Sequence, residues 1–247
     1  MMSRLCLSRL VLLAVALCAS GGGALAQETK LNQPPQGFQA LFNGKDLSNW
    51  RGQIAEDPRD IAKSTQGMTP EQIAQKQAEA DKQTFEHWQV EDGVIHYDGT
   101  RRIGNIESRE HFGDFEMWVD WKIPKGGDSG VFPRNMPQIQ IWDPARGGRN
   151  AAGSGGLDNN GPDVPPTKLA DKPIGEWNTF YIKMVGDKVW VKLNGETVID
   201  GVAKGNYWKG FKEPPPERGP IVLQSHGSDL WFRNVFIKEL DKPTDAK

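Results

Sequence analysis

The sequence predicts an all-β protein in which two antiparallel sheets pack face to face as a sandwich. Apolar and polar residues alternate with a period of two in many short segments after residue 87, which is the pattern of half-buried strands. Asn43-Gly44 and Asp92-Gly93 are strong turn signals. The 28 glycines and 17 prolines also favour strands joined by turns.

Residues 1–26 are typical of a secretory signal. Two arginines precede a short apolar run at residues 10–19, and Ala24-Leu25-Ala26 provides small residues two positions apart. We expect cleavage after Ala26 and a periplasmic or secreted mature chain that begins with a polar leader over residues 27–36. Because the apolar run is too short to span a bilayer, we expect no integral membrane segment in the mature chain.

Both cysteines lie within this predicted signal, which excludes disulfide and thiolate chemistry from the mature chain. Cys18 makes a lipid anchor the alternative, although a lipoprotein signal has a small residue where this chain has Leu17. The formal net charge is −2, with 30 basic and 32 acidic residues. That balance predicts no basic surface for nucleic acid.

Residues 57–86 predict a short helical insertion. Asp57-Pro58 and Thr69-Pro70 each place a helix cap before a proline, and Gln72 completes a capping box with Thr69. The helix is expected over Glu71–Phe85, where Ala, Gln, Glu and Lys dominate. Its apolar face is thin, so we expect it to lie over the edge of the sandwich rather than to form a second domain.

Strands are predicted on both sides of this insertion. Residues 37–50 indicate a strand, a turn and an inward-packing tryptophan, and residues 88–97 indicate a hairpin. Alternating segments follow at residues 115–123, 131–134, 138–142, 178–185, 189–193, 221–226 and 230–240. Between residues 144 and 172 the alternation stops, which predicts a long functional loop. We expect one domain over residues 37–240, followed by a polar tail at 241–247.

Strand alternation also identifies the side chains that point away from the core. The inward positions are set by apolar residues such as Val119, Ile139 and Leu223. The outward positions are then Glu116, Trp118, Asp120, Asp128, Arg134, Gln138, Gln140, Trp142, Gln224 and His226. Alternation alone does not decide whether these residues share one surface.

Several of these residues have a plain structural alternative. The mid-strand amides of Gln140 and Gln224 are costly in a core without partners, which favours a ligand-facing position. Arg134 is a candidate ligand contact, but it can equally pair with an acid on a neighbouring strand. Asp143 is a candidate substrate contact, and its alternative role is to start a turn before the next proline. His226 ends a strand and is a candidate for acid–base chemistry.

The tryptophans and the polar loop each admit two interpretations. Nine tryptophans are consistent with a sugar-binding protein, because indoles stack on pyranose rings, although most of them are expected in the core. Asp158, Asn159, Asn160 and Asp163 carry oxygen ligands, but they lack the regular spacing of a calcium loop. A flexible polar loop is the expectation there.

Six segments, in this order, resemble the exported domains described as 3-keto-disaccharide hydrolases. They include Gly126-Gly-Asp-Ser-Gly-Val-Phe132, and the full set is residues 113–123, 126–132, 137–143, 175–180, 193–195 and 219–227. The resemblance extends from about Gly37 to Leu240. It implies a concanavalin A-like jelly roll whose concave sheet holds a sugar, with the outward residues gathered on that sheet. In some members it implies cleavage of glycosides already oxidised at carbon 3.

The residue types disfavour conventional double displacement. A retaining glycosidase needs two carboxyls about 5 Å apart, and jelly-roll β-glucanases carry acids two positions apart on one strand. The corresponding strand here has Gln138 and Gln140, whose amides hold hydroxyls but serve neither as nucleophile nor as acid.

A 3-keto sugar allows another route, in which a base removes the hydrogen on carbon 2 and the enolate expels the glycosidic oxygen. Water added to the product would give net hydrolysis. We expect His226 or Asp128 to be the base, with Arg134, Gln140 and Gln224 positioning the sugar and stabilising charge. A divalent metal could share the last role, although no ligand set in the sequence requires one.

Two alternatives come from other functional classes. The chain could be a non-catalytic, lectin-like module that uses Trp118 and Trp142 as stacking platforms. It could instead be a structural envelope protein whose insertion at residues 57–86 docks a partner. The sequence leaves open the sugar, the linkage, the metal, the oligomeric state and the choice between elimination and hydrolysis.

Overall fold

The computed structural model describes residues 30–54, 61–101, 103–206, 210 and 215–240. The predicted signal with its cleavage site and both cysteines, the first part of the leader, the Asp57-Pro58 cap and the polar tail lie outside these residues. Within them, no helix is both long enough and apolar enough to cross a membrane.

Two antiparallel sheets form the sandwich, which confirms the predicted jelly-roll class. The strands β1–β14 span Gln39–Ala40, Trp50–Gly52, Trp88–Glu91, Val94–Asp98, Ile106–Ser108, Phe115–Lys122, Asp128–Phe132, Gln138–Trp142, Leu157–Asp158, Asn178–Val185, Lys188–Leu193, Glu196–Ala203, Val222–Leu223 and Asp229–Glu239. The eight-stranded sheet has the order β12-β11-β10-β6-β14-β4-β3, with β1 paired to β14. The six-stranded sheet has the order β2-β5-β13-β7-β8-β9.

The core lies between the sheets and follows the predicted alternation. On β6, Phe115, Met117, Val119 and Trp121 are at most 1% exposed, while the residues between them are half-buried. Burying each such apolar side chain contributes about 1.5–3 kcal/mol. The period of two in the sequence therefore correctly assigns the two faces of this strand.

The insertion is helical and lies over one edge of the sandwich, as predicted. Helix α1 spans Ile61–Ser64 and α2 spans Pro70–Phe85. The Thr69 hydroxyl accepts from the Gln72 amide at 3.3 Å, and the Gln72 side chain accepts from the Thr69 amide at 2.8 Å. These two bonds form the predicted capping box.

Helix α2 packs against β2, the edge strand of the six-stranded sheet. Gln77 donates to the carbonyl of Gly52 at 2.7 Å, and Asp81 accepts from the amide of Gly52 at 2.8 Å. A β-carbon at Gly52 would lie 2.8 Å from the carbonyl oxygen of Ala80, so the close approach requires glycine. The helix thus satisfies polar groups that an edge strand would otherwise expose.

The segment between residues 144 and 172 is more regular than the sequence indicates. It contains two single 3-10 turns, at Pro144–Arg146 and Gly148–Asn150, and the short strand β9. Strand β9 pairs with β8 and extends the six-stranded sheet at its edge. This segment therefore borders one face of that sheet.

Candidate functional site

The polar side chains converge on the outward face of the six-stranded sheet, which we call the open face. Val131, Ile139 and Leu223 point into the core, so the alternate residues of β7, β8 and β13 point outward. The register pairs Asp128 with Trp142, Gly130 with Gln140 and Gln138 with Asp158. The open face therefore carries Asp128, Gln138, Gln140, Trp142, Asp158 and, just beyond β13, Gln224.

His226 and Asp128 form a hydrogen-bonded pair on this face. Nδ1 of His226 lies 3.0 Å from Oδ2 of Asp128. Asp128 begins β7 and its side chain is 11% exposed, whereas His226 follows β13 and its side chain is 57% exposed. Because Nδ1 faces the carboxylate, Nε2 is the ring nitrogen available for proton transfer.

Asp128 is held as a carboxylate by further donors. Gln140 Nε2 donates to Oδ1 at 3.0 Å, and Arg146 Nη1 donates to Oδ2 at 3.0 Å. Burial alone would raise the pKa of Asp128, but the hydrogen bond and charge of His226, with the hydrogen bonds from Arg146 and Gln140, bring its pKa below the ordinary value. The hydrogen bond to Asp128 raises the pKa of His226 above its ordinary value.

Three glutamines form a hydrogen-bonded surface beside this pair, which we call the amide floor: Gln138, Gln140 and Gln224. Gln138 Nε2 donates to Gln140 Oε1 at 2.6 Å and to Gln224 Oε1 at 2.9 Å. Asn159 Nδ2 donates in turn to Gln138 Oε1 at 3.3 Å. Because Oε1 of Gln224 accepts, its amide nitrogen is left as a donor on the open face.

Gly130 makes room for the amide floor. A β-carbon at this position would lie 2.6 Å from Cγ of Gln138 and 2.7 Å from its Nε2. The side chain of Gln138 therefore lies directly over the backbone of β7, and a β-carbon at residue 130 would displace it.

Arg146 reaches the pair because the chain doubles back after β8. Asp143 caps the 3-10 turn by accepting from the Ala145 amide at 2.9 Å, and its other oxygen accepts from Gly126 at 2.6 Å. The guanidinium carbon of Arg146 then lies 3.7 Å from the centre of the Trp142 ring. Because both carboxylate oxygens of Asp143 accept from backbone amides, Asp143 positions the turn. This corrects its assignment as a substrate contact.

Glu116, Trp118 and Asp120 lie on the wrong sheet for this site. They project from β6 of the eight-stranded sheet, on the opposite side of the sandwich. Trp118 packs against Tyr181 with ring centres 4.9 Å apart, and Asp120 accepts from Asn234 at 2.8 Å. Their assignment to the sugar site is therefore wrong, because alternation separates the faces of a strand but does not say which sheet the strand joins.

Arg134 is also not at the site. It lies in the turn Pro133–Asn135 after β7, has a φ of 51°, and is 2% exposed. Its guanidinium donates to Sδ of Met184 at 2.9 Å and to the carbonyl of Gly186 at 2.5 Å, and it lies 3.8 Å from Asp114. Arg134 thus joins two turns at one end of the sandwich, and the cation beside Asp128 is Arg146.

The sequence does not assign Arg146 to the site, and Asp158 and Asn159 are weighed there only as calcium ligands. All three belong to the segment predicted to be a functional loop, and that prediction points to their position. Asp158 is buried on β9, where its Oδ2 accepts from Arg149 at 2.9 Å. Burial raises the pKa of Asp158 above its ordinary value, although Arg149 opposes this shift.

The remaining titratable groups do not add a metal centre. His87 and His96 pair with Asp98 and Asp229 at 2.8 and 3.2 Å, away from the open face. In the part of the chain that the structure describes, no group of three or more His, Cys, Asp or Glu side chains could hold a metal ion.

Fold and site together define a jelly-roll sandwich whose open sheet face carries an acid–base pair beside an amide-lined surface. Residues 37–238 match the family described as the 3-keto-alpha-glucoside-1,2-lyase-like domain. Because the match covers most of the chain, the protein belongs to that family, which makes it a carbohydrate-active enzyme of the glycoside-hydrolase kind.

Similar proteins agree with this membership. A 3-keto-disaccharide hydrolase from Bacteroides thetaiotaomicron is 23% identical over 281 residues, which covers 92% of this chain and 87% of the relative. Two solved structures from Parabacteroides distasonis, both of proteins proposed to be glycosyl hydrolases, have TM-scores of 0.62 and 0.55. They are 24% and 25% identical to this chain, respectively. The first match covers 86% of this chain and 100% of the solved chain, and the second covers 82% and 99%.

Proposed function

We propose that this protein cleaves 3-keto-glycosides by removing the proton on carbon 2 and eliminating the oxygen on carbon 1. The observation that supports it most is the pair of His226 and Asp128 on the open face, with Asp128 held as a carboxylate. Such a pair is the arrangement by which a histidine acts as a general base, because the carboxylate orients the ring and stabilises the imidazolium that forms.

The chemistry requires one base and a stabiliser for the enolate. His226 takes the proton at Nε2, and the carbon–hydrogen electron pair moves to the ketone, which makes an enolate oxygen on carbon 3. Arg146 offers a cation beside the pair, and Gln224 offers an amide donor. Both would stabilise the enolate oxygen. Stacking on Trp142 fixes the plane of the Arg146 guanidinium.

The names of the family and of the relative fit this route. The family description refers to a 1,2-lyase, which corresponds to elimination across carbons 1 and 2. The relative is called a hydrolase, and addition of water to the double bond between these carbons gives net hydrolysis. One mechanism therefore accounts for both descriptions.

The test compares a 3-keto-disaccharide with its unoxidised parent, following release of the free sugar by the purified protein. We expect cleavage of the keto form alone, with a primary isotope effect when carbon 2 carries deuterium. His226→Ala should abolish turnover, and His87→Ala, at a histidine remote from the open face, should leave it unchanged. Equal cleavage of both sugars, or an absent isotope effect together with full activity of His226→Ala, would contradict the proposal.

The other functional classes receive less support. Trp118 and Trp142 lie on opposite sides of the sandwich, so they do not form one stacking platform, and Arg146 covers one face of Trp142. Helix α2 packs against β2 and β3 and covers an edge of the sandwich. These contacts give the insertion a structural role that requires no partner.

We also propose that the protein is exported and that its signal is removed after Ala26. The basic start, the apolar run and the Ala24-Leu25-Ala26 site support this proposal. Intact mass and N-terminal sequencing of the periplasmic or secreted fraction test it, and a retained N-terminus would contradict it.

A further inference from the structure

Asp158 is a second buried carboxyl on the open face that the proposed base chemistry does not use. It lies opposite Gln138 in the pairing of β8 with β9 and is 3% exposed. Its Oδ2 accepts from Arg149 at 2.9 Å and from Asn150 at 3.4 Å. Among the described residues, no hydrogen bond reaches Oδ1, so this oxygen has capacity for a ligand.

The amide floor separates Asp158 from the pair of His226 and Asp128. Asp128 is bonded to Gln140 on one side, and Asn159, the neighbour of Asp158, is bonded to Gln138 on the other. The register places Asp128 opposite Trp142 and Asp158 opposite Gln138, at the two ends of β8. A sugar that rests on the floor would therefore have the base on one side and Asp158 on the other.

The surroundings of Asp158 shift its pKa upward. Burial raises its pKa most, and the charges of Asp163 and Asp128 act in the same direction, whereas Arg149 and Asn150 oppose them. Arg149 is 64% exposed and also binds Asp163 at 2.7 Å, so solvent and a second acid both weaken its effect on Asp158. A carboxyl with a raised pKa is the kind of group that acts as a general acid.

We propose that Asp158 is the acid that protonates the departing glycosidic oxygen, a role that rests on the proposed function. After His226 has taken the proton from carbon 2, the enolate electrons restore the ketone and form a double bond between carbons 1 and 2. The bond from carbon 1 to oxygen breaks, its electron pair stays on the oxygen, and that oxygen receives the proton of Asp158. The products are an unsaturated 3-keto sugar, a free alcohol, protonated His226 and ionised Asp158.

The test compares two leaving groups with Asp158→Asn. A 3-keto-disaccharide needs a proton on its leaving sugar, whereas a 4-nitrophenyl 3-keto-glucoside releases a stable anion and does not. We expect kcat for the disaccharide to fall about 100-fold or more, with little change for the nitrophenyl substrate.

Asp200→Asn is the matched control, because Asp200 is an exposed acid on β12 of the other sheet, and it should retain wild-type rates with both substrates. Equal losses with both substrates in Asp158→Asn would assign Asp158 a structural role and overturn the inference. Wild-type rates with both would overturn it as well. Failure of the wild-type protein to cleave either keto substrate would instead refute the proposed function itself.

Discussion

Gly130→Ala tests whether the amide floor positions the pair of His226 and Asp128. The new β-carbon would stand 2.6 Å from Cγ of Gln138, a distance that real structures do not contain, so the side chain of Gln138 must move. Its bonds to Gln140 and Gln224, at 2.6 and 2.9 Å, are then lost or lengthened. Gln140 in turn loses the contact that orients it toward Asp128.

The expected cost in stability is modest. Two hydrogen bonds contribute roughly 1 kcal/mol each to the free energy of unfolding, and alanine recovers about 0.4–1 kcal/mol by restricting the unfolded chain, since φ of Gly130 is not positive. The net loss is roughly 1–2 kcal/mol, which corresponds to a fall in Tm of about 2–8 °C for a domain of this size. Differential scanning calorimetry measures it.

The expected cost in activity is larger than the cost in stability. A displacement of about 1 Å in a positioning group can reduce kcat by roughly 100-fold, so we expect that loss with a folded protein. Gly104→Ala is the control, because its β-carbon would meet its nearest atom at 3.5 Å, an ordinary contact. Wild-type kcat in Gly130→Ala, with Tm lowered as calculated, would refute the idea that the floor positions the pair.

Three other changes have defined outcomes. Asp128→Asn removes the group that raises the pKa of His226, so the acid limb of the pH profile of kcat/KM should move to lower pH. We also expect kcat to fall on the order of 1,000-fold or more, and a pH–rate series measures both effects. Arg146→Ala should lower kcat for keto substrates about 100- to 1,000-fold through loss of the enolate partner, and an unchanged kcat with raised KM would assign it to binding alone. Thr69→Ala removes the capping hydroxyl of α2 and should cost about 1 kcal/mol in urea unfolding without changing kcat.

Local patterns predicted the strands well because side-chain direction in a strand depends only on its neighbours in sequence. The inward residues of β6 and the capping box of Thr69 follow from such patterns. The sheet to which β6 belongs depends on β10 and β14, which follow it by more than 50 residues. Alternation therefore predicts the correct face of β6 for Glu116, Trp118 and Asp120, but it does not predict on which side of the sandwich that face lies.

The two arginines illustrate the same limit at strand ends. Continued alternation after β7 predicts an outward Arg134, but the chain turns at Pro133 and Arg134 adopts a left-handed conformation. Arg146 lies four residues beyond β8 and returns to Asp128 only because Asp143 caps the intervening turn. Both outcomes depend on turn geometry and on contacts distant in sequence, which periodicity does not contain.

The glutamines of β8 are consistent with chemistry that uses a single base. Gln138 accepts from Asn159 and donates to Gln140, and Gln140 accepts from Gln138 and donates to Asp128. An ionised carboxylate only accepts hydrogen bonds, so glutamate at either position would interrupt this chain. It would also place a negative charge near Asp128 and raise the pKa of one of the two acids. The amides therefore favour an ionised Asp128 beside His226. A substitution that restored a glucanase-like pair of acids would weaken the base that we propose for this site.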